Sequence, residues 1–184
     1  TCYVSGDYNY QFTLNPEPRP SEWYRVKVEQ QLIDTKYIYS ISVNDSKIHS
    51  VENTTPQVFY NVKTWVSDPW YNSPPGQIRN LNITTEECKF RFSLGIDQCS
   101  NKVIVVVSVL VIEKFSGAVI GHWFHAQYTP VNGHKLTLIP KFGTSWSVSF
   151  EYKPFGEPIP WGNIFHNTVA DDYGYPGTRI PGVW

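Results

Sequence analysis

The chain has 184 residues, 41% of them hydrophobic and 16% aromatic, with a formal net charge of -1. That is chain enough for one large core or two small ones, and it is too apolar and aromatic for a disordered segment. The near-neutral balance supplies no basic field to draw nucleic acid or an anionic membrane. The longest apolar run, residues 103–112, has the length of a strand rather than of a membrane span.

Breakers and alternating runs take turns along the chain. Residues 15–20 (NPEPRP) form a breaker. Residues 18–31 open like a helix, but Val26 and Val28 alternate with Arg25, Lys27 and Glu29, which predicts a strand over 24–29. Residues 37–43 (YIYSISV) and 58–66 (VFYNVKTWV) repeat that period. Ser67-Asp68-Pro69 and Ser73-Pro74-Pro75-Gly76 break it. An apolar run at 102–113 and a segment at 115–128 follow, then an Asn132-Gly133 turn. Residues 146–152 (WSVSFEY) alternate once more, up to Pro154-Phe155-Gly156. No convincing amphipathic helix interrupts this series. Short strands about 8–12 residues apart, separated by turn signals, predict an all-β antiparallel sandwich or jelly roll.

Compartment signals point outward. Thr1 is preceded by no Met, basic leader or apolar stretch, and the chain contains no Met, which predicts a processed, mature secreted protein. Asn44-Asp45-Ser46, Asn53-Thr54-Thr55 and Asn82-Ile83-Thr84 fit the N-glycan acceptor pattern, all three expected at strand ends or turns. Cys88 and Cys99 flank a short segment and are placed to close a disulfide loop. Cys2 is then left over, either for an intermolecular bond or as a free thiol. The competing reading is three reduced thiols in a cytosolic protein.

Several runs together resemble a laminin-G-like (concanavalin-A-like) lectin-type β-sandwich. They are VSGDYNY at 4–10, WYRVKVEQ at 23–30, YIYSISV at 37–43 and FYNVKTWVSDPWY at 59–71, then WSVSFEYKP at 146–154, WGNIFH at 161–166 and GTRIPGVW at 177–184. Asp68-Pro69-Trp70-Tyr71 followed by GQIRNL at 76–81 resembles the closing strand and turn of such domains. The resemblance covers about three quarters of the chain, with the halves in the reverse of the usual order. It implies a circularly permuted or split domain: residues 1–86 the C-terminal half, 133–184 the N-terminal half, and 87–132 the connecting strands. The inner strand ending at Trp184 would continue into the strand at Cys2. Halves paired between molecules would form rings or filaments, with copies of this chain as partners and Cys2 at the joint. The family also implies a possible calcium ion at an acidic loop rim, here Asp171 and Asp172. An Asx turn satisfied by its own backbone competes with that reading.

Catalytic chemistry has little support. Glycoside hydrolysis needs two facing carboxyl groups about 5–9.5 Å apart, whereas Glu86-Glu87 and Asp171-Asp172 are adjacent and would point to opposite faces of a strand. Ser, His and Asp residues are scattered, with no Gly-x-Ser-x-Gly elbow. His122, His125 and His134 suggest zinc by type, but positions three apart on a strand do not chelate together. Trp70 and Tyr71, beside the proline-rich turn, are the candidate ligand-binding pair for a sugar face, with core packing as the alternative. The reading is therefore a secreted, non-catalytic adhesive or structural protein, with a glycan-binding lectin module as the alternative.

Overall fold

A computed structural model of the chain describes residues 2–3, 9–10, 18–86, 119–156, 159, 162–170 and 179–183. Their strands are β1 (Cys2–Tyr3), β2 (Asn9–Tyr10), β3 (Tyr24–Ile33), β4 (Lys36–Val43), β5 (Ser46–Asn53) and β6 (Phe59–Trp65), of which β3, β4 and β6 are the predicted alternating runs. Then come β7 (Gly76–Glu86), β8 (Val119–Phe124), β9 (Lys135–Phe142), β10 (Trp146–Pro154), β11 (Phe165–Thr168) and β12 (Arg179–Val183). No helix occurs among the described residues.

Local chemistry sets the strand ends. Asn44 and Asp45 join β4 to β5 with φ of 48° and 63°, the paired left-handed geometry that matches strand twist and that Asn and Asp tolerate. In β7, Asn80 has φ 53° and the β10 ladder shifts register opposite it. That bulge lets Ile78 and Leu81, three apart, both face inward. Gly143 is needed for close approach: a Cβ there would collide with the Glu86 carbonyl.

The strands form two antiparallel sheets. The first runs β2-β1-β12-β11-β6-β9 and the second β5-β4-β3-β10-β7-β8. They share one core. Phe150 on the second sheet meets Phe165 on the first at 5.8 Å between ring centres, and Trp146 meets Phe142 at 5.6 Å. Val28, Tyr39, Ile83, Val148, Val62 and Ile139 fill the space around them. The arrangement is β-sandwich-like. Buried Gln30 is satisfied on both sides, donating to the Thr144 carbonyl at 2.7 Å and accepting from Asn53 at 2.7 Å.

Strands from residues 1–86 and 133–184 interleave in both sheets. β10 lies between β3 and β7, and β6 lies between β11 and β9. At the far side of the first sheet β1 pairs β12 antiparallel, Cys2 opposite Val183 and Tyr3 opposite Gly182. The segment 115–128 yields the edge strand β8, which pairs β7.

Candidate functional site

The turn after β6 carries the densest polar network. Asp68 and His166 are both fully buried, with the carboxylate 2.6 Å from the imidazole Nδ1. The other carboxylate oxygen accepts the backbone N–H groups of Trp70 (3.1 Å) and Tyr71 (2.9 Å), the local geometry that an Asp before a tight turn favours. The Asp68 N–H donates to the Asn163 side chain at 2.9 Å, and the Asn163 amide reaches the carbonyls of Phe165 and Val183. Trp70 lies edge-on to Trp65 and His166, each at 6.0 Å. An Asp–His pair is the currency of acid–base catalysis, but this one has no solvent-facing surface from which to meet a substrate. Its work is to fasten the turn, β11 and β12 to one another.

The sequence-predicted residues are dispersed. Trp70 and Tyr71 are half-buried, and Trp70 is used in the packing just described. Asn44 is exposed on its turn, its side-chain oxygen accepting the Arg25 N–H at 2.9 Å. Asn53 closes β5, its oxygen accepting the Thr55 N–H at 3.0 Å while its nitrogen donates to Gln30. Asn82 sits inside β7 rather than at a strand end, because the strand runs on to Glu86. Cys2 lies in β1. Cys88, Cys99, Asp171 and Asp172 fall outside the described residues. No group of three or more His, Cys, Asp or Glu side chains gathers to hold a metal among the described residues. No helix of the described residues is long and apolar enough to cross a membrane. His122 is half-buried, His125 exposed, and His134 packs edge-on to Tyr128 at 5.4 Å.

The outer face of the second sheet is the other candidate surface. Arg79 pairs with Glu151 at 2.6 Å and spreads over Trp23 at 3.9 Å, and Lys27 pairs with Glu29 at 2.7 Å. Toward β8 the charges give way to hydroxyls, with Thr84 and Ser147 2.7 Å apart. Beyond them stands Trp123, 63% exposed. Burial pushes the Tyr152 hydroxyl up to about 12 and holds the His49 imidazole below its ordinary 6.5.

No protein family, curated protein or solved structure matches this chain. What the molecule does has to be argued from its own surfaces. Nothing in the sequence joins Asp68 to His166, 98 residues away, although the breaker at Ser67-Asp68-Pro69 marks the turn that the network fastens. Trp123 lies in a segment whose sequence shows no clear alternation.

Proposed function

We propose that the chain is a secreted, non-catalytic adhesive or structural protein of laminin-G/concanavalin-A-like kind, a jelly roll with its halves in permuted order. Copies of it join head to tail by exchanging strands at the β1–β12 ladder. One observation carries this reading. β12 meets, as its antiparallel neighbour, a strand from the opposite end of the sequence, where the unpermuted order would place a continuous hairpin. Among the described residues that ladder has two residue pairs, Cys2 opposite Val183 and Tyr3 opposite Gly182. The same two pairs from a second copy would replace it at little net cost, since an exchanged strand restores the hydrogen bonds it displaces. Such a contact is heterologous, so it extends into rings or filaments. The three sequons and the predicted Cys88–Cys99 loop support an extracellular setting.

The test is the assembly state at micromolar concentration, by light scattering and negative-stain imaging with and without reductant. Ordered polymers are expected, and reductant sensitivity would place Cys2 at the joint. A sharp monomer under both conditions would sink the exchange.

A further inference from the structure

Leu81, Ile83 and Thr85 of β7 are buried, so Asn82 and Thr84 face outward together. Residues opposite one another in adjacent strands share a face. Asn82 therefore has Trp123 on one side and Ser149 on the other, and Thr84 has Gly121 and Ser147. The Trp123 indole lies over Gly121: a Cβ at Gly121 would stand 2.7 Å from the indole Nε1. On the β10 side only short hydroxyl side chains border Asn82. The Asn82 side-chain oxygen is itself buried and has no hydrogen-bond donor. The acceptor residues of a sequon thus lie half-buried on a shelf walled on one side by an exposed, reclining aromatic ring.

We infer that Asn82 carries an N-linked glycan whose first pyranose ring stacks on Trp123, so that this sugar is part of the folded surface. This rests on the secreted reading. The attachment is made by the secretory machinery. The Asn82 Nδ2 bonds to the anomeric carbon of an oligosaccharide held on a lipid pyrophosphate. The anomeric carbon–oxygen bond breaks, the pyrophosphate leaves with the electron pair, and the amide loses one proton. The axial C–H groups of the ring then meet the electron-rich indole face, an attraction comparable with an aromatic pair. Gly121 is the positioning residue, because any side chain there lifts the indole off the strand.

The experiment uses the full chain made in a eukaryotic secretory host, with occupancy at Asn44, Asn53 and Asn82 mapped by mass spectrometry. The glycan is trimmed to its first sugar, and the thermal midpoint is compared with that of Asn82→Gln in the native, Trp123→Ala and Gly121→Ala backgrounds. We expect Asn82 to be occupied and the sugar to raise the native midpoint by about 3 °C. That gain should vanish in both variants, and the Trp123 indole N–H resonance should shift on deglycosylation. A bare Asn82 beside an occupied Asn44 overturns the inference while the secreted reading stands. Three bare sequons overturn both. An equal midpoint gain in all backgrounds overturns the stacking. Chito-oligosaccharide binding to the unglycosylated chain, lost in Trp123→Ala, would assign the shelf to another molecule's sugar and overturn it as well.

Discussion

β10 and β1 hold the same two parts of the sequence together in opposite ways. β10 lies in the middle of its sheet with long ladders on both sides, seven residue pairs to β3 and eight to β7, and it sends Trp146, Val148 and Phe150 into the shared core. β1 lies toward the side of the other sheet, and among the described residues it makes two residue pairs to β12 and two to β2. The lesson is that the sandwich is locked through its centre, where one strand joins both parts of the sequence and fills the shared core. Exchange of β1 between copies requires that the core stay in place when that strand leaves.

Truncation at the centre should have the largest effect. Phe150 is buried against Phe165, which lies on the opposite sheet, so Phe150→Ala removes a contact that joins the layers. The expected loss is about 4 kcal/mol, read as a fall in the urea midpoint. An effect below about 1 kcal/mol would break the comparison, because the centre would then be no firmer than the margin.

The Asp68 network comes next. Asp68→Ala removes the carboxylate beside a buried imidazole and the acceptor for two turn N–H groups, so about 3 kcal/mol is expected. Asp68→Asn keeps an acceptor for the turn and should lose less. Equal losses in the two variants would show that the turn N–H groups contribute little and that the carboxylate matters chiefly to His166.

How far the fold could be read in advance follows the same division. Runs at 24–29, 37–43 and 146–152 announced themselves because core-facing residues such as Val28, Tyr39, Ile41, Val148 and Phe150 alternate with more polar ones. β5 was not predicted: in SKIHSVEN the two apolar residues, Ile48 and Val51, stand three apart across a bulge, which spoils the alternation. β9 was not predicted either, since Ile139 and Phe142 both face inward three residues apart around Pro140, which spoils the period. The all-β class and the antiparallel pairing were legible. The partners were not, because Asp68–His166 and Asn82–Trp123 depend on which strands become neighbours, and periodicity is silent on that.

The smallest expected effect lies at the other margin, on β5. His49 rests edge-on to Tyr39 at 6.5 Å, and burial holds its imidazole below the ordinary 6.5. The unfolded chain therefore binds a proton at a higher pH than the folded one. Above about 6.5 neither state is protonated and the stability is intact. As pH falls from there toward the folded value, the unfolded state takes up more protons and stability drains away, levelling off once both states are charged. His49→Gln removes this one contribution and leaves the other histidines to cancel in the difference. The urea midpoint of the native chain should then fall further between pH 7.5 and 5.5 than that of the variant. A greater fall in the variant would mean that charged His49 is favoured in the fold, and that β5 is held by electrostatics as well as by its ladder to β4.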